Sequence, residues 1–391
     1  MKTTHQIHFQ NAKKMAKTAA DSIDLMVTSP PYPMIEMWDE MFISQNPKID
    51  LAIQRGDGPK AFELMNQELD KVWKEVWRVM KPGGIACVNI GDATRTIKGD
   101  FALYASHSRI VSAMLALGFS MLPAILWRKQ TNAPNKFMGS GMYPPGAYVT
   151  LEHEFVLIFR KGGKREFNRD VDKQNRRASA YFWEERNQWF SDVWMELKGT
   201  RQGLFEKKTR QRSAAFPFEL PYRLINMFSV IGDTVLDPFL GIGTTTFAAM
   251  ASARNSVGYE IEKNFSEAIF SKTDEIVSHA NERLRQRIDA HLEFVKTRTE
   301  AKGPCKHTNH FYGFPVITKQ EADLVFQELL SVEQVDESAL SAAHAPLELK
   351  QNQPESAAKK KEDAAPPAGA KKKRAKKEGE GKKAVQLSLL D

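Results

Sequence analysis

A strand that runs through a glycine turn straight into a helix is the feature that most limits what this chain can fold into. Thr234-Val235-Leu236-Asp237 reads as a short strand. Gly241-Ile242-Gly243 then leads into a helix from Thr245 to Ala253, and a second strand follows from Ser256 to Glu260. Glycines at such a junction let the backbone approach a ligand and turn tightly into the helix N-terminus. As a dinucleotide fingerprint the turn is poor, because Thr246 stands where a third glycine belongs. Glu260 ends the next strand about twenty residues on, placed to hold ribose hydroxyls. No Gly-Lys-Ser/Thr follows the glycines. The expected ligand therefore carries a ribose but no polyphosphate.

Upstream, Ser22-Ile23-Asp24-Leu25-Met26-Val27-Thr28 is an apolar run that stops at Ser29-Pro30-Pro31-Tyr32. Two prolines forbid both a ladder and a helix, so the strand must end there. Helical spacing over 60–80 (Leu64, Leu69, Val72, Trp73, Val76, Trp77, Met80) closes at Lys81-Pro82-Gly83-Gly84, and a strand follows from Ile85 to Ile90. A helix at about 103–117, a strand at about 121–127 and a strand from Glu154 to Arg160 continue the alternation. After Pro217 come a helix at about 219–229, the glycine unit, a long charged helix at about 264–299 and one more helix over 318–333. This order predicts an α/β fold: a mostly parallel sheet with helices on both faces.

Cys87 and Cys305 are the only cysteines, which excludes a disulfide scaffold and makes a reducing, cytoplasmic setting the default. The uncharged stretch Ile110 to Trp127 is interrupted by Ser112, Gly118, Ser120 and Pro123. It reads as a buried helix and strand joined at Gly118-Phe119, so no membrane span is expected. Cys305, His307 and His310 lack a fourth ligand at zinc spacing, and no metal is expected. Residues 128–212 hold 18 Lys/Arg against 10 acids, and residues 359–383 hold 11 against 4. Two basic regions on a near-neutral body point to a polyanion, usually nucleic acid. The first is also rich in aromatics: Phe167, Tyr181, Phe182, Trp183, Trp189, Phe190 and Trp194. From about 345 the chain is dominated by Lys, Ala, Pro, Glu and Gly and reads as disordered.

The chemistry follows from the loop at Ser29. Pro30 and Pro31 fix the backbone, so Ser29 and the carbonyl before Pro31 present acceptors at set positions. Paired acceptors orient an exocyclic amine toward a methyl sulfonium and disperse the developing charge. Tyr32 offers a flat face for a base flipped from its helix. Ser29-Pro30-Pro31-Tyr32 together with Asp237-Pro238-Phe239-x-Gly241-x-Gly243-Thr244-Thr245 resembles the amino-group DNA methyltransferases of the N4-cytosine and N6-adenine type. The catalytic motif precedes the cofactor motif, which is the permuted order of their β class. The resemblance covers roughly residues 6–270 and implies a Rossmann-like S-adenosylmethionine-dependent fold with a target-recognition insertion. It also implies catalytic roles for Ser29, Pro30, Pro31 and Tyr32. Cofactor contacts would come from Asp237, Pro238, Phe239, Gly241, Gly243, Thr244, Thr245 and Glu260, the last within Gly258-Tyr259-Glu260. Arg212-Ser213-Ala214-Ala215-Phe216-Pro217 resembles the segment preceding the cofactor strand, with Arg212 where the family usually has His. Phe216 and Pro217 join the cofactor set on that ground.

Ser29 favours cytosine N4, since N6-adenine members mostly carry Asp at that position; adenine N6 is the alternative. Cytosine C5 would need a Cys nucleophile after a strand, and Pro304-Cys305 follows a charged helix instead. An RNA amine methyltransferase and a catalytically inactive DNA-binding regulator are the remaining rivals. The expected layout is a catalytic half (1–127), a target-recognition region with one core strand near 154–160 (128–212) and a cofactor-binding half (213–300). A helical extension (301–344) and a basic tail (345–391) complete it. The expected partners are double-stranded DNA, a cognate restriction enzyme and the bacterial sliding clamp, with the enzyme held at the nucleoid. The clamp enters because Gln386-Leu387-Ser388-Leu389-Leu390, after the charged tail, resembles the short peptide by which replication proteins bind it. There Gln386 would fill a polar site and Leu387, Leu389 and Leu390 an apolar groove, although Leu390 stands where Phe is common.

Overall fold

The strand expected over 22–28 lies near the middle of a ten-stranded sheet, flanked by the two strands that carry the other loops. The computed structural model describes residues 1–129, 138–139, 141–197 and 216–349, and the folded body is Met1–Glu348. Its first half runs β1 (Lys2–Phe9), β2 (Ile23–Thr28), α1 (Asp39–Gln45), α2 (Lys48–Arg55), α3 (Gly58–Val79) and β3 (Met80–Ile90). A hairpin, β4 (Ala93–Ile97) and β5 (Asp100–Tyr104), leads to α4 (Ser106–Ala116) and β6 (Phe119–Arg128). The short β7 (Met138–Gly139) and β8 (Ala147–Tyr148) precede β9 (His153–Lys161), α5 (Asp170–Ala178), α6 (Trp183–Trp189) and β10 (Val193–Trp194). Then come α7 (Glu219–Phe228), β11 (Thr234–Asp237), α8 (Thr244–Ala251), β12 (Asn255–Glu260), α9 (Phe265–Phe270) and α10 (Thr273–Lys302). Four strands finish the body: β13 (His307–Thr308), β14 (Pro315–Val316), β15 (Gln327–Asp336) and β16 (Ala339–Pro346).

The sheet order is β10-β6-β9-β3-β2-β11-β12-β1-β16-β15. Its centre, from β3 to β1, is parallel throughout, and antiparallel strands flank it on each side. Period-two alternation divides the core into two layers. Leu25, Val27 and Val235 face the layer that includes Leu224, Phe247 and Ile276. Met26, Val88 and Leu236 face the other, which includes Leu69, Trp73 and Met114. Because the central strands are parallel, β2, β3, β11 and β12 all release their loops at the same edge. β6 is antiparallel to β9, which is antiparallel to β3, so β6 also ends there.

Residues 301–344 do not form a helical extension. The long charged segment breaks at Ser271-Lys272 into α9 and α10, and the chain beyond α10 is built of strands: β15 and β16 pair as a hairpin and β16 pairs with β1. The register shift between Leu329 and Ser331 explains the misleading period. A bulge adds a residue to one strand, so Leu329 and Val332, three apart, both join one apolar layer. That spacing imitates a helix, and sheet pairing overrides it. Strand β1 has the opposite disguise. Its inward residues include Thr3 and His5, satisfied by one another, by His344 and by Ser256 at 2.9–3.0 Å, and burial pushes His5 down to about 3.

Three of the seven aromatics of residues 161–197, which composition assigns to a nucleic-acid surface, build the core instead, while Trp183 and Phe190 stay exposed. Phe182, Trp189 and Trp194 are buried. Phe182 stacks on His291 of α10 with centroids 3.7 Å apart. Arg287 of α10 reaches back to Glu185 at 2.6 and 2.8 Å and to Tyr222 at 3.1 Å. Arg165 is likewise spent on Asp233 at 2.6 and 2.9 Å.

Candidate active site

Two loops meet where β2 and β11 end side by side. The link between them is Asp237, whose carboxylate accepts hydrogen bonds from Thr28 and Thr245 hydroxyls, each at 2.6 Å, and from the Phe239 amide at 3.0 Å. Thr28 is the residue before Ser29, so a single buried carboxylate fixes the tetrapeptide against the glycine loop. Burial pushes the Asp237 carboxyl up to about 6, against the pull of its three donors. Its oxygens are therefore occupied within the protein, and its place in the site is to join the loops.

The glycine turn has the geometry its sequence demands. Gly243 sits at φ +89° at the head of α8, and Gly241 at φ +55°. A Cβ on Gly241 would meet nothing within 4 Å, so that side of the loop is open. Glu260 reaches from the end of β12 to accept from the Gly241 amide at 2.7 Å and the Glu262 amide at 2.8 Å. Burial raises its pKa. Beside it the Thr244 hydroxyl is buried with no hydrogen-bond partner, and an orphaned hydroxyl at a helix N-terminus is what a polar ligand would satisfy. An open glycine, a carboxylate at the strand end and an unpaired hydroxyl fit an adenosine-bearing ligand. Phe216 packs in the layer with Leu240 and Ile242, while Pro217 starts the turn into α7. Arg212 to Ala215 lie outside the described residues.

On the other side, Pro30 is buried and Ser29 and Tyr32 are half-buried. The Ser29 hydroxyl donates to Tyr32 Oη at 3.2 Å, and Tyr32 Oη donates to Glu154 Oε2 at 3.0 Å. Asn89, on β3, donates to Tyr32 Oη at 3.0 Å and to Glu154 at 2.7 Å. Lys129 closes the far side, its Nζ 2.8 Å from Glu154 Oε1. Burial, then the Glu154 charge, holds the Tyr32 phenol well above its ordinary pKa, so Tyr32 stays protonated. Thr28, Asn89, Glu154 and Lys129 join the candidate site by these hydrogen bonds, and the sequence did not single them out. The one signal was Glu154 itself, a carboxylate at the head of the apolar run Phe155 to Phe159.

Residues 23–272 match the N6/N4 DNA methylase family. The Type II methyltransferase M.MthZI of Methanothermobacter thermautotrophicus is 53% identical over 325 residues, which cover 83% of this chain and 90% of that relative. The chain belongs to this family of amino-group DNA methyltransferases. A second relative, M.MjaI of Methanocaldococcus jannaschii, is 50% identical over 281 residues, covering 69% of this chain and 91% of its own. A DNA modification methylase from Thermus thermophilus, solved with S-adenosyl-L-methionine, is 28% identical with a TM-score of 0.54, covering 71% of this chain and 94% of that one. The methyltransferase uses S-adenosylmethionine, which supplies an electrophilic methyl group when bound. Among the described residues no group of three His, Cys, Asp or Glu could hold a metal ion, and no helix is long and apolar enough to cross a membrane.

Proposed function

We propose that this methyltransferase modifies cytosine N4 at a specific site in double-stranded DNA. The observation that carries the reading is Ser29, held at the head of the tetrapeptide by Tyr32 and tied to the cofactor loop through Thr28 and Asp237. A serine there offers the amine a neutral acceptor. In this reading Ser29 and the Pro30 carbonyl orient the amine, Tyr32 supports the ring, and Glu260, Thr244 and the Gly241–Gly243 turn hold the methyl donor. The segment between β6 and β9 supports target recognition, because β6 releases it at the catalytic edge. Met142, Tyr143 and Val149 stand exposed there. The test is methyl transfer from labelled S-adenosylmethionine to duplex DNA, single-stranded DNA and RNA, with the product nucleoside identified by mass spectrometry. N4-methylcytosine from duplex DNA alone is expected; N6-methyladenine would reassign the base, and transfer to RNA alone would overturn the DNA reading.

The Type II names of the relatives support a cognate restriction enzyme as a partner. The tail supports a second one. Gln386, Leu387, Leu389 and Leu390 lie outside the described residues, and their order supports binding to the sliding clamp at the nucleoid. A basic tether would raise the local concentration of enzyme on newly made DNA. A peptide spanning Lys382 to Asp391 should bind the clamp, and its Gln386→Ala, Leu389→Ala variant should not. Equal weak signals from both would remove the clamp from the list of partners.

A further inference from the structure

Three side chains from three separate strands or strand ends converge on a phenol that needs none of them to stack on a base. Tyr32 Oη has Ser29 on one side and Glu154 on the other, with Asn89 holding both Tyr32 and Glu154. The hydrogen bonds point one way. Ser29 gives its proton to Tyr32 and Tyr32 gives its proton to Glu154, which leaves a lone pair of Ser29 Oγ free toward the loop. Transfer to an amine releases one proton, and that proton must go somewhere. We propose that it leaves through Ser29 and Tyr32 to Glu154, which is thereby a further functional residue of this enzyme.

The inference rests on the amine-methylation reading above. The amine nitrogen gains a methyl carbon as the sulfur–methyl bond breaks, leaving a neutral thioether and a surplus proton on nitrogen. Ser29 Oγ takes that proton while its own passes to Tyr32 Oη and the tyrosine proton passes to Glu154 Oε2. Each hydroxyl ends with one proton, and Glu154 ends as a neutral acid. The charged and titratable groups around Glu154 agree with this direction. Lys129 on the β6 side pairs with the other carboxylate oxygen, Oε1, at 2.8 Å and leaves Oε2 to Tyr32 and Asn89. Tyr32 is a poor base but a competent conduit. Asn89, which cannot itself take up a proton, holds the geometry from β3. The nearby Asp92–His107 pair is engaged with itself at 2.7 Å. Lys129 is 44% exposed, so water reaches this end of the chain and can clear the proton afterwards.

Glu154→Gln keeps the side-chain volume and an acceptor oxygen but takes up no proton. Its single-turnover methylation rate should fall by about 100-fold, the lower end of what a positioned base contributes. S-adenosylmethionine affinity by calorimetry should stay within about twofold, since the cofactor loop is untouched. The acid limb of the pH–rate profile that belongs to Glu154 should vanish, and Glu154→Asp should restore part of the rate. A fluorine label on the Tyr32 ring gives a readout without turnover: its NMR shift should respond to Glu154 ionisation in the wild type and not in Glu154→Gln. Tyr32→Phe breaks the same chain from the other side and guards against a folding defect in the first variant. An unchanged rate in both variants would overturn the relay. Absence of any methylated amine from the wild type would instead overturn the reading on which it rests.

Discussion

Tyr32→Ala is expected to lower the rate of methyl transfer by about 5- to 150-fold through lost stacking alone, an effect of ~1–3 kcal/mol. Loss of the hydroxyl adds to this, because Ser29 and Glu154 are then disconnected and Asn89 loses an acceptor. S-adenosylmethionine affinity should barely move, since Tyr32 touches the Ser29–Glu154 side of the site and Glu260 the other. Comparison with Tyr32→Phe separates the ring from the hydroxyl: the phenylalanine variant should retain base binding and lose rate. No covalent enzyme–DNA adduct should form in any of these proteins, because the transfer is direct. Stopped-flow single-turnover kinetics with cofactor titration would check this, and alanine and wild-type rates agreeing within about twofold would remove Tyr32 from the reaction.

The second large effect is expected at Asp237. Asp237→Ala strands the Thr28 and Thr245 hydroxyls and the Phe239 amide in a dry site, at about 1–3 kcal/mol for each unsatisfied group. Cofactor affinity and folding stability should fall together, the first by about 100-fold, because the two loops lose their common anchor. Asp237→Asn isolates the charge. The folded carboxyl titrates at about 6 instead of 3.8. Its contribution to stability is thus fully present below pH 3.8 and lost as pH rises through 6. Relative to Asp237→Asn, the wild type should therefore gain about 2 kcal/mol between pH 7 and pH 4.5. Urea unfolding of both proteins at the two pH values checks it, and a constant difference would mean that Asp237 titrates normally.

Both loops at the site were legible because their signals are local. Pro30-Pro31 stops a strand, and Gly241 and Gly243 turn one into a helix, whatever surrounds them. The central strands β2, β11 and β12 followed from the same runs. What stayed hidden depends on partners far along the chain. Strand β1 buries His5 beside Ser256, 251 residues away, so its inward face carries no apolar alternation. Strand β15 carries a bulge that turns a period of two into a local three. Trp189 and Trp194 sit in a charged segment yet fill the space against α10 and β6. Glu154 lies 122 residues from Tyr32, and only the antiparallel pairing of β9 with β3 brings the two together.

The neck between β6 and β9 has a consequence for how such an enzyme diversifies. The Lys129 amide donates to the Glu152 carbonyl at 2.8 Å, so the excursion of about twenty residues leaves and returns on neighbouring strands. Strands pair about 5 Å apart whatever lies beyond their ends. Doubling the length of such a loop costs only about 0.6 kcal/mol of closure entropy. Insertions, deletions and wholesale replacements beyond Lys129 are therefore nearly invisible to the sheet. If this excursion reads the target, as proposed above, a lineage carrying this scaffold can rewrite the words it reads in DNA while inheriting its chemistry unaltered.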